Sequence, residues 1–141
     1  MIKIQKNDFN IEEEINDIKY RYSDVGAVST FVGFVRDTND KKKVKSIDLE
    51  VYEEMAYKSL RSICEQAHKN WDLLDILVIH RFGTLYVNDK IVLAATFSKH
   101  RHASFESCNY IIDFLKKEAP FWKKEYYNNN FSWLQNTTKK N

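Results

Sequence analysis

The chain predicts an α+β fold, with helices packed on a mostly antiparallel sheet. Three observations point to it. Apolar residues recur at helical spacing in separate stretches, short runs of β-branched and aromatic residues lie between them, and turn-forming residues separate neighbouring strand-like runs. At 141 residues, with 43% hydrophobic and 30% charged side chains, the composition is that of an ordinary globular protein. Residues 1–141 read as one domain with a polar tail from about residue 135.

Ile11, Ile15, Ile18 and Tyr22 follow Asn10 at helical spacing, with Glu12, Glu13 and Glu14 placed favourably in the first turn, so a first helix is expected to end before Gly26. Ala27 to Val35 is apolar on both alternations, as a strand covered on both faces would be. Asp37 to Lys43 is polar and reads as a hairpin loop leading to a second strand, Val44 to Tyr52, expected to pair antiparallel with the first. Ala56, Leu60, Ile63, Cys64, Ala67 and Trp71 mark an amphipathic second helix. Ile76 to His80 and Lys90 to Ser98 read as strands joined through Gly83 and the turn pair Asn88 and Asp89. A third helix carries the stripe Phe105, Cys108, Ile111, Ile112 and Leu115 and stops near Ala119, because Pro120 disfavours helical geometry in the residue before it. Phe121 to Tyr127 and Phe131 to Leu134 form a last hairpin around Asn128, Asn129 and Asn130.

Charge and hydropathy narrow the function. Twenty-two basic side chains face 20 acidic ones, a net charge of +2, so the molecule is not a polycation that coats nucleic acid and any anion site must be local. A nucleic-acid module would rest only on the aromatic and lysine residues interleaved between Phe121 and Trp133. No apolar run approaches the roughly 20 residues that cross a bilayer, and Met1 to Asn10 lacks the apolar core of a signal peptide. A cytoplasmic location with no membrane association is therefore expected. Cys64 and Cys108 are too few and too distant for a disulfide framework or zinc site and fall on helical stripes, so both are expected to be buried and inert. No metal and no cofactor are expected.

Three places join special residue types to element ends. Arg36 follows a strand, where an arginine is either a solvated strand end or a planar fork for phosphate or carboxylate. Lys99, His100, Arg101 and His102 crowd the start of the third helix; they either disperse charge on a surface turn or, with the helix dipole, bind an anion. The third place is Lys116 and Lys117 with Ala119 to Glu125. Lys116 complements a helix end, whereas Lys123 sits in an aromatic strand where partial desolvation or neighbouring cations would disfavour its ammonium and suit it to proton transfer.

In order along the chain, Gly26-Ala27, Phe31-Val32-Gly33-Phe34-Val35-Arg36 with Asn39, Leu49-Glu50 and Tyr52, Ile79-His80-Arg81 with Gly83, Ser98-Lys99-His100-Arg101, and Leu115-Lys116 with Ala119-Pro120-Phe121-Trp122-Lys123-Lys124-Glu125 resemble the molybdopterin synthase large-subunit family. The resemblance runs from about Val25 to Trp133. Asn88 stands where the family usually has a turn glycine, and Val51 to Glu54 depart from the family's usual entry to the second helix.

The resemblance implies an α/β-hammerhead-like fold and a sulfurtransferase that converts precursor Z, a cyclic pyranopterin monophosphate, to molybdopterin. It implies a substrate pocket lined by Phe34, Val35, Arg36, His100, Arg101, Lys116, Lys123, Lys124 and Glu125, with Lys116 and Lys123 catalytic. Two sulfurs would come from the C-terminal thiocarboxylate of a small ubiquitin-like sulfur-carrier subunit, whose glycine tip enters the pocket. A homodimer within a heterotetramer is implied as the assembly. A catalytically dead scaffold of the same fold would not need Arg36, His100, Arg101, Lys116 and Lys123 together.

Overall fold

A computed structural model describes residues 1–39, 42–127 and 130–134; the side chains of residues 39–42 and 128–134 are outside that description. The elements run β1 (Ile2–Gln5), α1 (Ile11–Lys19), β2 (Ala27–Phe34), β3 (Thr38–Asn39), β4 (Lys42–Lys43), β5 (Ser46–Val51), α2 (Glu53–Asn70), β6 (Asp75–Arg81), β7 (Gly83–Tyr86), β8 (Lys90–Ser98), α3 (Arg101–Lys117), β9 (Phe121–Tyr127) and β10 (Asn130–Leu134). The expected tail from residue 135 and the tip of the last hairpin at Asn128 and Asn129 lie outside the described residues.

One sheet has the order β1-β6-β8-β2, antiparallel except for the parallel β1–β6 pair. Its two faces carry separate cores because β6 and β8 alternate apolar side chains on both. Ile76, Val78, Val92 and Ala94 pack with Ala56, Leu60, Ile63 and Ala67 of α2 and Cys108, Ile111, Ile112 and Leu115 of α3. Leu77, Ile79, Leu93, Ala95 and Phe97 pack with Phe9 and with Ile18 of α1. The Asn10 side chain caps α1 by accepting from the Glu13 N–H at 3.0 Å. The second sheet, β10-β9-β5-β7, is antiparallel throughout and has its own core of Val35, Val44, Ile47, Leu49 and Leu85.

Several expectations need correction. The strand read at Val44 to Tyr52 does not pair with the one read at Ala27 to Val35. Instead β5 lies between β7 and β9, and β2 pairs with β8. The connection through the β3–β4 hairpin carries the chain from one sheet to the other, so adjacency in sequence is not adjacency in the sheet. Nor is β2 fully covered, although Phe31 packs against one core and Val28 and Val32 against the other. It is an edge strand with Thr30 and Phe34 exposed, and the doubly covered strands are β6 and β8, buried from Ile76 to His80 and from Val92 to Ser98. In α3 the buried stripe starts at Ser104 and Ser107, not Phe105, which is exposed. Phe105 lies about 100° round the helix from Ser104, while the small serines let α3 approach the sheet. Ser29 Oγ donates to Ser104 Oγ at 2.8 Å, and Thr96 Oγ1 donates to the Ser104 carbonyl at 2.7 Å. Cys108 is buried as expected, but Cys64 is only half-buried, at the rim of the α2 stripe. The short strands β1 and β7 were not anticipated.

Candidate functional site

Pro120 follows the end of α3 and sends the chain into β9, where strand alternation sorts the side chains. Phe121, Lys123 and Glu125 face inward, and Phe121 and Glu125 are buried, whereas Trp122 is exposed on the other face. Lys124 shares that outer face, opposite Asp48 in the β5 register, so it does not stand beside Lys123. The Phe121 ring stacks on His80 with centroids 3.7 Å apart and planes at 16°. His80 Nδ1–H donates to the Arg81 carbonyl at 2.8 Å, which fixes the neutral tautomer.

Burial pushes the His80 imidazole down to about 4; the bond to the Arg81 carbonyl opposes this, and the neighbouring Lys123 cation adds to it. Burial likewise pushes the Lys123 ammonium below its ordinary range. The Glu125 carboxylate opposes that shift, and the Arg36 and Lys116 cations reinforce it. These couplings bring Arg36, Lys116, Lys123, Glu125 and His80 into one electrostatic neighbourhood, built from the ends of β2, α3 and β6 and the inner face of β9.

Each member is held by its element. The Val35 N–H donates to the Asp89 carbonyl at 3.0 Å and its carbonyl accepts from the Asn88 N–H at 2.9 Å, which fixes the chain just before Arg36. Asn88 adopts φ 74 in that turn, a left-handed conformation that asparagine tolerates well. Val35 itself is 3% exposed and belongs to the second sheet's core, while Phe34 is exposed at the end of β2. Lys116, exposed in the last turn of α3, holds its Nζ 5.7 Å from the Phe31 ring centroid.

His100 and Arg101 stand elsewhere. They open α3, and the helix rise puts Arg101 about 22 Å from Lys116 along the axis. Of the four cationic residues there, Lys99 lies 3.8 Å from Asp24 and His102 lies 3.2 Å from Glu106, leaving His100 and Arg101 exposed beside the free N–H groups of the helix start. Gly26 shapes this corner, since a Cβ on it would lie 2.1 Å from the Lys99 carbonyl oxygen. The predicted site residues therefore divide into two groups at opposite ends of one helix, with Lys124 and Val35 outside both.

Chemically, the Arg36, Lys116 and Lys123 group gathers more cationic than anionic side chains around a lysine whose ammonium is disfavoured by burial, which suits binding an anionic substrate and passing it a proton. Neither thiol is a candidate nucleophile. Burial raises both Cys64 and Cys108 to about 11, far from a reactive thiolate. Among the described residues, no group of three or more His, Cys, Asp or Glu side chains gathers as a metal ion would require. His80 was not singled out as a site residue from sequence, although a histidine ending the apolar run Ile76 to Ile79 was the available signal.

The chain as a whole is similar to known proteins. The family model described as MoaE protein matches residues 4–118. The molybdopterin synthase catalytic subunit of Ralstonia nicotianae is 44% identical over 133 residues, covering 94% of this chain and 76% of the relative. That of Vibrio cholerae is 43% identical over 133 residues, covering 94% and 88%. The solved molybdopterin biosynthesis MoaE protein of Burkholderia ambifaria superposes with a TM-score of 0.83 at 39% identity, covering 95% of this chain and 88% of that one.

Proposed function

This chain belongs to the MoaE family of molybdopterin synthase catalytic subunits, and from that premise we propose that it builds the dithiolene of molybdopterin at the Lys123 neighbourhood. The reaction converts precursor Z to molybdopterin by inserting two sulfurs supplied by the thiocarboxylated small subunit. The observation that carries the assignment is Lys123 itself, a half-buried lysine whose ammonium is disfavoured by burial and crowded by Arg36 and Lys116. Such a group parts with its proton more readily than an ordinary lysine, which suits it to passing protons as each sulfur adds. Lys116 and Arg36 neutralise developing negative charge and hold the substrate. Sulfur comes from outside the chain, because both thiols are held protonated.

His100 and Arg101 bind the phosphate of the precursor from a second copy of the chain. A separation of about 22 Å along α3 exceeds a fused-ring pterin phosphate, so one copy cannot close both ends on one substrate. A two-fold homodimer that sets two α3 helices antiparallel brings the start of one beside the end of the other, making two complete sites. The unpaired outer edge of β2, which runs alongside α3, is available for that contact among the described residues. One small subunit per copy, its tail entering beside Lys116 and Lys123, gives a heterotetramer. No helix among the described residues is long and apolar enough to cross a membrane, and we assign the reaction to the cytoplasm.

The test is direct. Mixing the protein with precursor Z and thiocarboxylated small subunit should yield dithiolene product, and Lys123→Ala should abolish it while the circular dichroism spectrum stays unchanged. Wild-type turnover by the Lys123→Ala variant removes Lys123 from the mechanism.

A further inference from the structure

The inner face of β9 carries more than the lysine. Lys123, Glu125 and Tyr127 occupy successive positions of one alternation, so their side chains project from the same side of the strand. Glu125 is only 4% exposed, and its backbone is pinned between Ile47 of β5 and Ser132 of β10. A carboxylate in that position needs hydrogen-bond donors to remain charged. The Tyr127 hydroxyl donates to Glu125 Oε1, and the Tyr127 ring packs against the core of Val35, Val44, Ile47, Leu49 and Leu85, which fixes where the hydroxyl sits.

We infer that Tyr127 is a positioning residue for the sulfur-transfer reaction: its phenol ties down the Glu125 carboxylate and so limits how strongly that carboxylate pairs with Lys123. The inference rests on the reading of Lys123 as the proton-handling group. A carboxylate that accepts a phenolic hydrogen bond has part of its charge compensated on the side away from the lysine. The charged and titratable groups around Lys123 are Glu125 on its own strand, Arg36 beyond β2, Lys116 at the end of α3 and the neutral His80 on β6. Among them Glu125 alone favours the ammonium, so restraining it leaves burial and the two cations to prevail. With the tie removed, more of the carboxylate's charge acts on Lys123 and the lysine holds its proton more tightly.

Tyr127→Phe removes the hydroxyl and keeps the packed ring, so the fold is retained. Two measurements separate the possibilities: an NMR titration of the Lys123 side chain in protein without substrate, and the pH profile of kcat with precursor Z and thiocarboxylated small subunit. We expect the Lys123 titration in Tyr127→Phe to move to higher pH and the acid limb of kcat to move with it, so that kcat along that limb falls several-fold at a given pH while KM barely changes. In a Glu125→Gln background, adding Tyr127→Phe should leave the Lys123 titration where it is, since there is no carboxylate charge to release. An unmoved titration in Tyr127→Phe overturns the inference, and so does an equal shift in the Glu125→Gln background. A titration that moves while the kcat limb stays in place overturns the assignment of Lys123 as the proton-handling group.

Discussion

If each substrate is held by Lys123 of one copy and Arg101 of another, an inactive variant and an impaired one should restore activity together. Along α3 the two residue groups are separated by about 22 Å, so on this reading every site in a homodimer would take its Lys116, Lys123 and Arg36 from one copy and its His100 and Arg101 from the other. A dimer pairing a Lys123→Ala chain with an Arg101→Ala chain then has one site lacking both residues and one site lacking neither. Random pairing of equal amounts makes half the dimers mixed, so about a quarter of all sites are intact. Alone, Lys123→Ala should be inactive. Arg101→Ala should lose about 1.5 to 3 kcal/mol of charged hydrogen bonding, roughly ten- to a hundred-fold in kcat/KM. The assay is dithiolene formation at substrate well below KM, on chains co-expressed with different tags so that mixed dimers can be purified. Isolated mixed dimers should approach half of wild-type activity. Activity no greater than the mean of the two separate variants would refute the shared site, and so would sedimentation of the wild-type chain as a monomer at micromolar concentration.

Other consequences follow from single side chains. His80 is held neutral with its pKa near 4, below the ordinary histidine value, so the unfolded chain takes up this proton first as pH falls. Stability is therefore full above about pH 6.5 and falls towards pH 4 by roughly 1.4 kcal/mol per unit, about 3 kcal/mol in all; urea melts of wild type and His80→Gln should show a shallower decline in the variant, and parallel declines would exclude His80 as the source. Gly26→Ala would put a Cβ 2.1 Å from the Lys99 carbonyl oxygen. The start of α3 must shift, at a cost of about 1 to 3 kcal/mol, and both thermal stability and precursor affinity should drop; a crystal structure of the variant with Lys99 unmoved would contradict this. Replacing Cys64 and Cys108 together by Ala should leave dithiolene formation intact with externally supplied thiocarboxylate, because neither thiol is a sulfur carrier; loss of product in a folded double variant would reopen the question.

Much of the molecule is written locally. Asn10 and the three glutamates after it begin α1, the Ala56, Leu60, Ile63 and Ala67 stripe makes α2, and Pro120 ends α3, because each depends on contacts within a turn or two of the chain. Arg36, Lys116 and Lys123 were legible as candidates for the same reason, as charged residues at element ends or among aromatics. What the local pattern does not contain is which strands meet. Apolar alternation in Ala27 to Val35 is the same whether the strand ends up central or at an edge, and the placement of β8 between β6 and β2 follows from long-range pairing and from the helices that cover both faces.

The sequence by itself thus determined the three helices and the longer strands, the family and the residue types from which the site is made, since helix stripes, turn residues and motif spacing are properties of neighbouring positions. Only the tertiary structure decided how those residues are distributed. It set Lys123 inward and Lys124 outward, buried His80 against Phe121, and brought the ends of β2 and α3 to the same strand. It also separated His100 and Arg101 from that strand by the length of a helix. Desolvation and charge coupling are sums over groups that packing brings together from distant parts of the chain, so the altered ionisation of His80 and Lys123 exists only once that packing is in place.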